Sequence, residues 1–225
     1  IIGCTINSIA PAASSSTNYY AIYASGANVA NYNVFAGNTI NNGSAGVYFY
    51  GSSTGLIQGN EFIGNTINGF TYYGFYLGYN RNMIANQNTL YSSTTAYSSL
   101  YGIYVYYTDF ANTISNNRIY MYGPSANYSL YLYYCDGALG EEINVFNNFV
   151  VVDGSVGTLY GIYSNYGNYQ NYYHNSVRLN TGDGASEYAF YATSASTGTY
   201  GNVNVVNNIF TSYGGGYAAY VTASS

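Results

Sequence analysis

The sequence has no tryptophan and no lysine, and charge of either sign is scarce: three arginines, eight acids and one histidine among 225 residues, for a net charge of −5. Without a basic patch nothing can neutralise a phosphate backbone, which excludes nucleic acid as a partner. A polybasic membrane contact is excluded for the same reason. No apolar run approaches the ~18 residues of a membrane span. No signal peptide is visible and Ile1 lies already inside a repeat, so a processed chain or a piece of a longer one is expected.

What is present is tyrosine, 34 residues of it, with 27 glycines and a hydrophobic share of 48%. That share excludes a disordered chain, and the length suffices for one domain, 1–225, with a core of its own. A surface so poor in charge draws its solubility from hydroxyls and amides, and we expect an extracellular or cell-surface location.

Two motifs recur in step. One is small-apolar-Tyr: Ala21-Ile22-Tyr23, Gly46-Val47-Tyr48, Gly74-Phe75-Tyr76, Gly102-Ile103-Tyr104, Ser129-Leu130-Tyr131, Gly161-Ile162-Tyr163, Ala189-Phe190-Tyr191 and Ala218-Ala219-Tyr220. The other is Asn-x-apolar, beginning at Asn38, Asn65, Asn88, Asn117, Asn148, Asn175 and Asn208, with Cys4-Thr5-Ile6 as a first copy in which Cys replaces Asn. A period near 28 also suits a leucine-rich repeat, but the Leu consensus is missing, helix formers are scarce, and strand and turn formers dominate. Alternation marks strands: in Tyr101–Tyr106, Ile103 and Val105 share one face while Tyr104 and Tyr106 share the other. Further apolar positions fall three residues before each Asn (Phe35 to Val205) and two after it (Ile40 to Phe210).

Each period thus offers about three short strands, none able to bury its apolar face alone. Stacking coils at ~4.8 Å closes three parallel sheets round one core. The expected fold is all-β: a parallel β-helix (β-solenoid) of about eight coils of 23–34 residues, a rod of order 40 Å by that spacing. Insertions at 92–96 and 136–140 belong in loops leaving the coil.

With these motifs the chain resembles the right-handed parallel β-helix repeat proteins of the pectin-lyase-like superfamily, over nearly all of its length. The resemblance implies the right hand of the coil. That superfamily includes polysaccharide lyases and hydrolases, phage tailspikes, adhesins and surface repeat proteins, so it points to a fold more than to a function.

Residues at one repeat position stack along the axis. The Asn series should form a structural amide ladder at a bend. The position before it is polar too, at Gln87, Asn116, Asn147, His174 and Asn207, and His174 is read there as an imidazole in place of an amide, since no partner acid or nucleophile accompanies it. Tyr23, Tyr48, Tyr76, Tyr104, Tyr131, Tyr163, Tyr191 and Tyr220 should form an outward aromatic stripe for binding or assembly. A second column, Tyr20, Tyr73, Tyr101, Tyr128, Tyr160, Tyr188 and Tyr217, has the parity of an inward one unless the small residue marks a bend.

The acids are Glu61, Asp109, Asp136, Glu141, Glu142, Asp153, Asp183 and Glu187. A hydrolase needs paired acids on one face, and lyases of the superfamily use clustered Asp round calcium plus a basic residue. The best constellation is Arg81, Asp109 and Asp136, each seven residues after a small motif position and so stacked in successive coils. It reads either as an Arg81–Asp109 ion pair or as a calcium site at Asp109 and Asp136, helped by Glu141 and Glu142. No catalytic residue and no other cofactor is assigned, and an enzyme is not expected. Arg118 and Arg178 are read as solvated. Asn42-Gly43-Ser44 and Asn127-Tyr128-Ser129 fit the N-glycosylation pattern.

Cys4 and Cys135 fall four coils apart, ~19 Å along the axis at ~4.8 Å per coil, whereas a disulfide needs Cα atoms within about 7 Å. No intrachain disulfide is expected. Both ends read as repeat and carry no polar cap, so the domain is expected to be uncapped and sticky. These features lead to an extracellular structural solenoid that associates with copies of itself, head to tail or side by side, into a filament or surface layer. The alternative is a polysaccharide-binding or polysaccharide-cleaving β-helix of the adhesin, tailspike or lyase kind. Ice binding is not expected, because the Thr series stops at Thr5, Thr39, Thr66 and Thr89.

Overall fold

Among the described residues of the computed structural model every long-range strand pairing is parallel. The structure describes residues 1–9, 17–26, 31–93, 99–123, 126–153, 157–180, 186–193 and 201–222. The predicted loop at 92–96 lies outside these beyond Ser93, and so does Asp183.

Among the described residues three main sheets form a parallel β-solenoid, in eight, eight and seven strands. The first holds the Asn-x-apolar segments, from Thr5–Asn7 to Ile209–Ser212. The second runs from Tyr20–Ser25 to Gly216–Thr222 and holds the small-apolar-Tyr segments. The third runs from Val34–Ala36 to Val203–Val206. The coil count is slightly below the eight expected: the seven-stranded sheet limits complete three-strand turns, and only about six turns have a neighbour on both sides. A small two-stranded sheet, Ile57–Gln58 with Asn80–Arg81, adds a corner that the repeat did not announce.

The core follows the predicted periodicity. Phe62, Ala85, Ile114, Val145 and Tyr172 are fully buried in the third sheet, and Ile67, Leu90, Ile119 and Val150 in the first. Phe35 and Phe62 stack with ring centroids 5.2 Å apart, and Phe49 and Phe75 meet Phe62 edge-on. The outermost turn is less covered, and Val205 is exposed.

The corner before each Asn has a sharper cause than polarity. Gly3, Gly37, Gly64, Gln87, Asn116, Asn147, His174 and Asn207 all take positive φ, from 52 to 65°. Glycine enters this left-handed region freely, and Asn and His are enriched there among the rest. His174 is therefore an exposed corner residue, with φ 58° and its backbone N–H donated to Val206 O.

Candidate functional site: the tyrosine face

The small residue decides how the tyrosines face. In Ser99–Tyr106, Gly102 and Ile103 are buried in succession, and the pairing with Ala126–Tyr133 passes from Tyr101↔Tyr128 to Ile103↔Leu130. A Cβ on Gly102 would stand 2.3 Å from Ser129 O and 2.9 Å from an Ile119 methyl. The strand bends there and its parity resets. Both tyrosine columns consequently lie on the outer face, so of the two readings of the second column the bend at the small residue holds. Tyr101 stacks on Tyr104 at 5.3 Å and Tyr128 on Tyr131 at 5.3 Å, joining the columns side by side.

The predicted stripe is unbroken. From Tyr23 through Tyr48, Tyr76, Tyr104, Tyr131, Tyr163 and Tyr191 to Tyr220, successive ring centroids lie 5.5, 4.5, 5.0, 4.9, 4.7, 4.9 and 5.1 Å apart. Five contacts are stacked; Tyr76–Tyr104 and Tyr163–Tyr191 are edge-to-face. Both geometries are favourable for aromatic rings, at about 0.5–1.5 kcal/mol per pair beyond area burial. The stripe is less open than a free surface column: Tyr131 is only 9% exposed, and Tyr23, at the edge, reaches 52%. Burial raises the phenol pKa of Tyr76, Tyr104 and Tyr131, with neighbouring phenols adding to it, and pushes Tyr163 up to about 12.

Two further columns widen the face. Tyr106 and Tyr133 stack at 5.6 Å. Tyr107, Tyr134 and Tyr166 follow at 4.9 and 4.7 Å. Alternation already put Tyr106 on the face of Tyr104, and the doublets Tyr106-Tyr107 and Tyr133-Tyr134 are the sign of the column beside it.

The amide ladder beneath is continuous. Each Asn side-chain oxygen accepts both the backbone N–H and the amide of the Asn one coil earlier, as when Asn88 donates twice to Asn117 at 3.0 Å. Each amide also donates back to a carbonyl, Asn117 to Ala85 O at 2.9 Å. The pattern runs through Asn38, Asn65, Asn88, Asn117, Asn148, Asn175 and Asn208. Cys4 keeps only its part as backbone donor, to Asn38 at 3.0 Å.

The charged constellation is partly as expected. Asp109 and Asp136 occupy adjacent coils, with Phe110 N–H donated to Asp136 O. Arg81 stands in the coil before but forms no ion pair with Asp109: its Nε donates to Gln58 Oε1 at 2.9 Å, because the small corner sheet sets Gln58 directly beside it. Arg178 is not simply solvated either, since it pairs with Asp153 at 3.4 Å. Glu141 and Glu142 lie in the next loop, where Glu142 accepts Gly140 N–H. Among the described residues no three His, Cys, Asp or Glu side chains gather as a metal site. Burial, and then the charge of Asp109, pushes Asp136 up to about 6, and Asp136 Oδ1 is buried without a hydrogen-bond partner.

A pH effect follows. Unfolded, Asp136 titrates near the usual ~3.9; folded, it holds its proton to about 6. The native state therefore binds more protons in that window, and stability should fall as pH rises through it. Urea midpoints of the parent at pH 4.5 and 7 should differ in that direction, and Asp136→Asn should shrink the difference. An unchanged difference in Asp136→Asn would discard this assignment.

Cys4 and Cys135 are both free, Cys4 exposed and Cys135 fully buried. Asn127 is also fully buried, so the second glycosylation pattern is closed in the folded chain. One acid was missed: Glu187 is wholly buried and accepts from Ser212 Oγ and, at 3.0 Å, from Gly214 N–H. No described helix is long and apolar enough to cross a membrane.

The fold and its outer face define a tyrosine-rich parallel β-solenoid. No family model, no curated protein and no solved structure matches the chain, and no match ties it to the pectin-lyase-like superfamily.

Proposed function

We propose that the chain is a non-catalytic structural solenoid that works outside the cell by associating with copies of itself, its tyrosine face being the associating surface. The observation that carries this reading is the unbroken column of half-buried rings across all eight strands of one sheet. Such a face is almost uncharged and its rings are already held by their neighbours, so it loses little side-chain entropy on contact. Head-to-tail or lateral contact of this kind builds open assemblies. Electron microscopy and sedimentation over a concentration series should show filaments or sheets. A monodisperse monomeric rod at the highest concentration rules the reading out.

The same rings suit a second reading, a polysaccharide-binding solenoid in which sugar rings stack on the tyrosines. It predicts glycan-array binding that is lost in Tyr104→Ala and Tyr131→Ala. Neither reading needs a metal; a calcium ion at Asp109 and Asp136 is a separate proposal, met by a calcium-dependent rise in melting temperature and refuted by its absence.

A further inference from the structure

We propose that the turn at 138–142 of one copy of the chain docks into the groove beside Arg118 of a second copy and joins solenoids side by side. The contact lies off the tyrosine face, and it does not depend on association through the tyrosines.

The groove is one half of the contact. It encloses about 400 Å³ and is lined by Asn116, Asn117, Arg118, Tyr120, Asn147 and Phe149. Arg118 is exposed. Arg81 donates to Gln58 and Arg178 pairs with Asp153, so Arg118 is the guanidinium left without a partner among the described residues. Its neighbours across the sheet, Thr89 and Phe149, are both uncharged. Beside it the rings of Tyr120 and Phe149 stand 6.0 Å apart, tilted by 60°, and Phe149 is 43% exposed. A free guanidinium next to aromatic walls fits a carboxylate carried beside an aliphatic side chain.

The turn is the other half, and it presents that pair. Ala138 and Glu141 exchange backbone hydrogen bonds of 3.2 and 2.9 Å, and Glu142 Oε1 accepts Gly140 N–H at 2.9 Å. The tip is therefore held in shape before it meets anything, which keeps the entropy cost of docking low. Leu139 at the tip is 84% exposed, more than any other large hydrophobic residue described. Glu141 and Glu142 follow it directly, Glu141 exposed. A single exposed leucine needs no partner, but this one stands on a pinned turn beside two carboxylates, and the same molecule carries a groove of the matching character. Within one copy the two do not meet, since Leu139 stays open and Arg118 unpaired. Across copies, Leu139 enters between Tyr120 and Phe149 while the carboxylates face Arg118. Aromatic and arginine anchors in a pocket carry much of the energy of such an interface.

Turn and groove lie within one coil of each other. The chain leaves the turn at Glu142, runs through Ile143–Phe146 and reaches the groove at Asn147 and Phe149. The two surfaces differ, so a docked pair keeps one turn and one groove free. A contact between unlike surfaces that does not close on itself extends into a row. Because both halves stand at the same level of the rod, the row runs across the solenoid axis.

The test is photo-crosslinking between copies. Benzoylphenylalanine is placed at Leu139, and this light copy is mixed with heavy-isotope-labelled parent so that joined peptides are recognised by mass. Crosslinks should run from position 139 of the light copy to heavy peptides holding Tyr120 or Phe149. Arg118→Glu in the heavy copy should cut their yield at least about tenfold, because like charges placed across an interface repel strongly. Glu141→Arg combined with Glu142→Arg in the light copy should restore the yield against Arg118→Glu and lose it against the parent. Arg118 makes no contact within its own chain, so Arg118→Glu should melt with the parent. If it melts earlier, Arg118→Gln takes its place and should also lower the yield. Crosslinks that fall elsewhere on the heavy copy, that are absent, or that persist undiminished without Arg118 overturn the docking. So does a loss that the reversed turn fails to recover.

Discussion

Asn117→Ala should destabilise the folded chain by roughly 3–5 kcal/mol, among the largest single-residue effects available in this protein. The side chain is fully buried at the middle of the amide ladder. Its oxygen is the acceptor for Asn88 N–H and for the Asn88 amide, both at 3.0 Å, and its own amide serves Ala85 O and Asn148 Oδ1 at 2.9 Å. Alanine offers none of these. Two donors of Asn88 and the Ala85 carbonyl lose their partner where water does not reach, and each orphaned buried group costs about 1–3 kcal/mol. Because each coil leans only on its neighbours, a lesion at mid-stack weakens both halves of the array. The comparison variant is Asn208→Ala, where the partnered Asn175 bonds of 2.8 and 3.0 Å are only part-buried and water can replace them. That variant should cost about 1 kcal/mol. Urea unfolding of both variants measures the gap, and equal midpoints would show that the ladder is not held by buried amides.

The ladder also shows why some of this fold was legible in the sequence. A residue whose partner is its own counterpart one coil away must recur at the coil period, so Asn, the apolar triplets and Tyr104 with its equivalents announced themselves. Features that depend on a single coil did not. Arg81 was read toward Asp109 from equal offsets, but a two-residue sheet at the corner gave it Gln58 instead. The buried Glu187 sits in the inward column Leu100, Asn127, Leu159, Glu187. Nothing in alternation distinguishes it from a solvated acid, and its partners Ser212 and Gly214 come from the next coil. The second tyrosine column was legible only as an open choice, because strict period-two parity assumes a straight strand and the small residue was the one sign of a bend. The position before Asn was legible as polar, yet its cause, a left-handed backbone shared by Gly64 and His174, is visible only in φ.

The bend that turns the second column outward makes the small position testable. Gly102→Val should cost about 3 kcal/mol, at the upper end of what overpacking usually exacts. The obstacle to a side chain there is backbone: the added Cβ meets Ser129 O at 2.3 Å and Ser129 C at 3.2 Å, and neither can yield without dragging the strand Ala126–Tyr133. Gly74 faces the same constraint against Gly102 O at 2.5 Å, and Gly161 against Ala189 O at 2.6 Å. Ser129 occupies the equivalent place one coil on and already carries a Cβ, so steric exclusion varies along the series. Its hydroxyl oxygen is buried without a hydrogen-bond partner, and Ser129→Ala should therefore be neutral or stabilising by up to about 1 kcal/mol. The two variants together separate a packing demand at Gly102 from a general intolerance of change at the bend. Should Gly102→Val unfold at the parent's urea midpoint, the parity reset would need another cause. If instead it lowers the midpoint and also loosens the ring stack, seen as a weaker near-ultraviolet tyrosine dichroism, the glycine is what holds both tyrosine columns on one face.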